Sequence, residues 1–155
     1  MLWSSACEYA IRATTHLAAT PQALVQLKDI AAAEDIPAPF AAKILQSLVR
    51  SGVLRSVKGP HGGYGLARPP SKITFLDVKA ATEGTSDLDS CAAGLGQCSD
   101  GMLCPLHETF KPIRRAIRHY LETTTIADFS DAVARKRAIG TRTSRARRRA
   151  RAPSR

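Results

Sequence analysis

Aromatic side chains are scarce in this sequence, at 5% of 155 residues, so a core has to be built mainly from aliphatic groups. Long apolar runs are missing as well: nothing approaches the ~18 consecutive apolar residues of a membrane span. The opening Met1-Leu2-Trp3-Ser4-Ser5 lacks the basic start of a secretory signal, so a cytoplasmic protein with no membrane attachment is expected. Four cysteines form too thin a framework for a secreted disulfide scaffold of this length. The sequence also lacks paired carboxylates, a nucleophile–base motif, and the glycine patterns that cradle nucleotide phosphates. No enzyme is expected.

What is present suffices for one modest domain and a tail, with 44% hydrophobic and 23% charged residues. The net charge of +10 is unevenly placed. Residues 1–134 hold 13 of the 23 Lys and Arg and all 13 Asp and Glu, while residues 135–155 hold the other 10 cations and no acid. The arginine-rich run 145–151 cannot bury itself, and residues 135–155 read as a disordered basic tail. Such a tail suits a polyanion, and its plainer reading is a solubilising extension.

Ser5-Ala6-Cys7-Glu8 fits the S-x-x-E capping box of a first helix, with Ile11, Thr14, Leu17 and Ala18 at helical spacing up to Thr20-Pro21. Cys7 on this helix reads as a small buried residue. Leu27, Ile30 and Ala31 mark a second short helix, ending near Glu34-Asp35. Pro37 and Pro39 suit the first turn of a third, in which Phe40, Ile44, Leu45, Leu48 and Val49 share a face. Lys43, Gln46, Ser47 and Arg50 face the other way, and Gly52 ends the helix. Two short helices about a tight turn predict a helix-turn-helix. Strands over 53–58 and 64–68, around Gly59-Pro60-His61-Gly62-Gly63, predict a hairpin. Together they make a winged helix.

Beyond Pro69-Pro70, Thr74-Phe75-Leu76-Asp77 resembles a second cap, opening a helix that Gly84 ends. Residues 85–104 are rich in Gly, Ser and Asp. Pro105 then starts a long helix with Leu106, Phe110, Ile113, Ile117, Tyr120 and Thr124 in a 4-3-4-3-4 spacing, and with Pro112 expected to kink its first turns. That seam predicts a dimer helix, the alternative being an ordinary amphipathic helix packed on its own domain. A last short helix runs from Ile126 to about Ala134. The expected divisions are a winged helix-turn-helix over 1–83, a cysteine-rich loop over 84–104, the dimerisation and terminal helices over 105–134, and the tail over 135–155.

Cys91, Cys98 and Cys104 are separated by six and five residues, and His107 follows Cys104 by three. Soft thiolates so grouped select zinc, copper(I) or iron–sulfur clusters. The close cysteine pair of a zinc knuckle is missing, and wide gaps suit a larger object, which favours a cluster modestly over zinc.

With these residues in place, the sequence resembles the winged-helix iron–sulfur regulators typified by IscR and NsrR. The resemblance covers about residues 2–133. It rests on Glu8-Tyr9-Ala10-Ile11-Arg12-Ala13, Gly59-Pro60-His61-Gly62-Gly63-Tyr64, Ile73-Thr74-Phe75-Leu76-Asp77-Val78, the cysteine triplet and Cys104-Pro105-Leu106-His107. It implies a mostly α fold with a small β-hairpin, homodimeric through a long helix. It also implies an iron–sulfur cluster, 2Fe–2S in preference to 4Fe–4S, on Cys91, Cys98 and Cys104. Members with a histidine fourth ligand place it at His107, and those with a first-helix carboxylate place it at Glu8. His107 is favoured, because the S-x-x-E pattern gives Glu8 a capping role and imidazole is an accepted partner of thiolates on iron. Lys58 stands where IscR-like proteins carry arginine, so operator preference is expected to differ.

The function so implied is a DNA-binding transcriptional repressor or activator, sensing redox state, iron or nitric oxide, on an inverted-repeat duplex. Lys43, Gln46, Ser47 and Arg50 would meet the major groove, and Lys58, Gly59, Pro60, His61, Gly62 and Gly63 the minor groove or backbone. The alternative is the same regulator with zinc, or with a thiol switch and no cluster. An electron-transfer enzyme lacks a substrate motif here, and an RNA-binding module lacks an aromatic platform or GXXG loop.

Overall fold

A computed structural model describes residues 3–91, 93–95, 101 and 106–150, with side chains through residue 138. The first helix, α1 (Ser5–Ala18), is capped by Ser4, whose hydroxyl accepts the Cys7 amide at 3.3 Å. The cap thus stands one residue before the expected Ser5, and Glu8 takes no part in it. Helix α2 (Leu27–Ala33) ends with Asp35 at φ 50°, while the Ile36 amide bonds back to the Ala31 carbonyl at 2.9 Å. This closing pattern, usually built on glycine, forms the tight turn into α3 (Ala38–Arg50), which begins on Pro37. Gly52, at φ 73°, repeats it at the end of α3, with Gly52 and Val53 amides on the Val49 and Leu48 carbonyls.

Strands β1 (Leu54–Val57) and β2 (Gly63–Leu66) pair antiparallel, with Leu54 opposite Leu66 and Val57 opposite Gly63. Val25 adds a single bridge to Tyr64, stitching the hairpin to the segment before α2. Helix α4 (Phe75–Thr82) carries the reciprocal Thr74/Asp77 capping box that its sequence predicts. A 3-10 turn (Ser86–Leu88) then leads to Cys91, and α5 (His107–Thr123) runs without interruption through Pro112. Pro105, the expected helix start, lies outside the described residues.

Helix α6 (Ile126–Ala150) is 25 residues long and passes the expected stop near Ala134. Residues 135–150 are therefore helical rather than a disordered tail. Alanine, arginine and lysine are strong helix formers, and a helix already anchored by packing needs no new nucleus to continue.

The core is aliphatic around one aromatic hub. Phe75 is 2% exposed and meets Trp3, Tyr120 and Phe129 edge-on, at centroid distances of 6.0, 6.1 and 5.4 Å. These rings come from the chain start, α5 and α6, so α4 ties the long helices to the winged domain. Backbone bonds from Phe75 to Thr124 and from Ile126 to Ile73, each 2.9 Å, lock the α5–α6 corner to the same place. Cys7 is fully buried, as expected, and burial pushes its thiol up to about 11. That makes it an inert packing residue.

Candidate DNA interface and cysteine segment

On α3, Ala41, Ile44, Leu45 and Leu48 are buried, and this stripe holds the helix against the core. At about 100° per residue, Lys43, Gln46 and Arg50 fall opposite the stripe, and all three are exposed. Ser47 lies to one side. It is half-buried and its hydroxyl donates to the Ala81 carbonyl of α4 at 2.6 Å, so it fixes α3 rather than standing free. Phe40 departs from its expected place: it is 56% exposed, with Ala41 buried in its stead. Sitting in the first turn and about 90° from the centre of the buried stripe, it has no core above it. The exposed face of α3 is thus an aromatic ring followed by an ammonium, an amide and a guanidinium.

The wing presents Lys58, Gly59, Pro60 and His61 exposed, with Gly62 and Gly63 half-buried beneath them. Gly59 has φ 113°, and the Gly62 amide closes the tip on the Gly59 carbonyl at 3.0 Å. A β-carbon at Gly62 would collide with the Val57 carbonyl, and one at Gly63 would meet the Val25 carbonyl at 2.6 Å. The glycines are therefore required by close backbone approach. Gln26, at the start of α2, donates to the Pro60 carbonyl at 3.4 Å, a tether from wing tip to helix-turn-helix that the sequence does not signal. A concavity of about 550 Å³ lies between Gln26, Leu27 and the wing.

The expected metal ligands are only partly placed. Cys91 is half-buried three residues beyond the 3-10 turn, and His107 is 7% exposed as the first residue of α5, with Nε2 4.0 Å from the Glu108 carboxylate. Glu8 is exposed on α1, and its expected capping role does not exist. Cys98 and Cys104 lie outside the described residues. Among the described residues no three His, Cys, Asp or Glu side chains assemble into a metal site. The thiolate and imidazole that are placed belong to the donor types iron–sulfur clusters accept, so the residues fit such a group in kind.

The approach to Cys91 is held firmly. Leu88 is buried, Asp87 accepts from Lys79 at 2.9 Å, Asp89 from Arg118 at 2.7 Å, and the Ser90 carbonyl from Arg114 at 2.9 Å. Lys79 is 1% exposed on α4 and also meets Glu83 at 2.5 Å. Burial opposes its charge, but the bonds to Glu83 and Asp87 outweigh that and hold the ammonium above its ordinary pKa. The segment before Cys91 is thereby clamped to α4 on one side and to α5 on the other. Nothing in the linear pattern distinguishes Lys79 from an exposed helix lysine.

Comparison with known proteins agrees with this architecture. The family model Rrf2, described as an iron-dependent transcriptional regulator, matches residues 3–132. An HTH-type transcriptional regulator from Aquifex aeolicus is 34% identical over 130 residues, covering 83% of this chain and 90% of that protein. A counterpart from Mycobacterium tuberculosis is 38% identical over 132 residues, covering 83% and 80% respectively. Among solved structures, CymR, the global cysteine regulator of B. subtilis, superposes with a TM-score of 0.72 at 23% identity, over 83% of this chain and 95% of that one. IscR of T. potens gives 0.68 at 24% identity, over 84% and 86%. At these identities the structural matches show the shared fold. The family match spans the winged domain, the cysteine segment and both long helices up to residue 132, and on it the chain belongs to the Rrf2 family of DNA-binding transcriptional regulators.

Proposed function

We propose that this regulator is a homodimer that reads an inverted-repeat duplex and senses redox state, iron or nitric oxide through an iron–sulfur cluster. The observation that carries the dimer is the seam of α5. Leu106, Ile113 and Tyr120 are 49%, 53% and 46% exposed, and Phe110 and Ile117 are half-buried, although Leu121 on the same helix is wholly covered. A row of large apolar groups at coiled-coil spacing is costly to leave in water and matches a second copy of itself. Two-fold pairing would set the two α3 helices on half-sites about one helical turn apart, or a multiple of it. Phe40, Lys43, Gln46 and Arg50 then meet base edges and phosphates, while Lys58 and His61 reach the backbone from the wing.

Cys91, Cys98 and Cys104 would hold the cluster, 2Fe–2S before 4Fe–4S, and His107 would be the fourth ligand. The cluster, when bound, supplies a redox-labile group whose gain or loss distinguishes two states of the protein. The chain's own part is mechanical: Lys79, Arg114 and Arg118 fix the backbone ahead of Cys91 to α4 and α5. Glu8 is a second candidate for the fourth position, because its carboxylate is exposed and plays no part in capping.

Anaerobic purification followed by a visible spectrum, iron and sulfide counts and sedimentation tests this reading. A coloured dimer with iron and sulfide in a cluster ratio is expected, bleaching rapidly in His107→Ala and not in Glu8→Gln. The reverse pattern moves the fourth ligand to Glu8. Colourless protein overturns the cluster and favours zinc or a thiol switch, and a monomer at micromolar concentration overturns the seam.

A further inference from the structure

Where α6 passes over α1, the two helices leave a cavity of about 410 Å³. That volume is within the range of small-molecule sites, roughly 300–1,000 Å³. Its lining divides by chemistry. Phe129, Val133 and Ala134 of α6, with Ala19 after α1, give an apolar wall. Arg12 and His16 of α1 and Arg137 of α6 gather around one carboxylate, that of Glu34, and the hydroxyl residues Thr15 and Ser130 complete the lining.

Glu34 is only 9% exposed and receives all three bases. His16 Nδ1 stands at 3.1 Å, Arg12 Nε at 3.7 Å and Arg137 Nη2 at 3.8 Å. Only the histidine contact has hydrogen-bond length; the guanidiniums approach as looser ion pairs. Two guanidiniums and an imidazole thus stand around one carboxylate in the lining, beside an apolar wall. Glu34 is also the residue that closes α2, directly before Asp35 and the turn into α3. The cavity therefore abuts the helix-turn-helix, and among its lining residues are neither Cys91 nor the exposed Lys43, Gln46 and Arg50 of α3.

We propose that this cavity is a second effector site, which takes a small organic anion: a carboxylate head between Arg12 and Arg137, and a short apolar body against Phe129 and Val133. An amphipathic monocarboxylate matches both halves of the lining. A neutral molecule would gain no ion pair from the guanidiniums, and an inorganic anion would leave the apolar wall unfilled. The proposal needs neither a cluster nor the dimer seam, and its test is independent of DNA.

Calorimetric titration of the full-length protein with sodium hexanoate is the direct experiment, with sodium acetate and hexanamide as controls. Saturable one-to-one binding is expected with Kd below about 1 mM, a modest demand for a ligand of this size. Acetate and hexanamide should each bind at least tenfold more weakly, one lacking the body and the other the charge. Arg137→Gln should weaken hexanoate about tenfold with a melting temperature little changed, since that side chain is 69% exposed. Ala134→Phe, which fills the cavity, should abolish binding while the circular dichroism spectrum stays native. No saturable hexanoate binding, equal binding of hexanamide, or undiminished binding by both variants would overturn the site. Duplex binding by α3 and the wing would stand or fall separately.

Discussion

Removing the charge of Glu83 should destabilise the protein more than removing the charge of Lys79, though the two are partners. The Lys79 ammonium is 1% exposed, with Glu83 at 2.5 Å and Asp87 at 2.9 Å. Glu83→Gln keeps the shape but leaves a buried cation facing Asp87 alone, whose side chain is 57% exposed and shared with solvent. The cost should be about 3 kcal/mol, the lower edge of what breaking a buried pair incurs. Lys79→Met fills nearly the same volume without a charge. Asp87 then returns to water, and Glu83 keeps the Ser4 amide at 3.0 Å. What remains is one partly unsatisfied carboxylate, costing about 1–2 kcal/mol. Urea denaturation reads the difference directly, as midpoints at unchanged slope. If Lys79→Met proved as costly as Glu83→Gln, the buried ammonium would not be the dominant electrostatic liability here, and the account of this clamp would be wrong.

Other consequences are simpler to measure. Asp35→Gly should stabilise the protein by about 0.5–1 kcal/mol, because Asp35 holds φ 50° where glycine is unstrained; a lower melting temperature would show that the aspartate side chain outweighs that strain. Ser47→Ala should cost about 1 kcal/mol of stability through removal of the bond to Ala81 while leaving the ranking of DNA sequences unchanged; altered base preference would place the hydroxyl in the groove instead. Glu83 is held below its ordinary pKa by Lys79 and Ser4 against the opposing effect of burial, so its contribution is present above about pH 4.3 and lost as pH falls through the folded value. Acid titration of the Glu83→Gln variant should accordingly show a shallower loss of stability below pH ~4 than the wild type.

The winged helix is legible in the sequence because its signals are local. Proline at the start of α3, glycine at its end, apolar spacing between them and a glycine-rich hairpin each carry their own reason. Sequence and structure part where a residue's role is set by what lies across from it. Phe40 matches the apolar spacing, but only the depth of packing above the first turn of α3 decides whether it is covered. Ser4 and Ser5 are equivalent as cap formers, and the docking of the Ser4 amide on Glu83 selects between them. Helix α6 outruns its expected end because high charge by itself reads as disorder, although arginine and alanine propagate a helix well once packing has started it. The clamp on the cysteine segment is invisible in the sequence: a buried lysine with partners four and eight residues on has no linear signature. The cavity beside Glu34 unites residues from three helices, which no reading of spacing joins.

The central claim, that the exposed face of α3 and the wing engage duplex DNA, is tested most directly by the salt dependence of duplex binding. The protein would select its preferred duplex from a random pool, and anisotropy titrations would follow over a range of salt. Arg50→Ala and Lys58→Ala should each weaken binding and lower the slope of log affinity against log salt by about one unit, as expected when one phosphate is no longer neutralised. Slopes and affinities unchanged in both variants would contradict the claim and place the DNA surface elsewhere on the molecule.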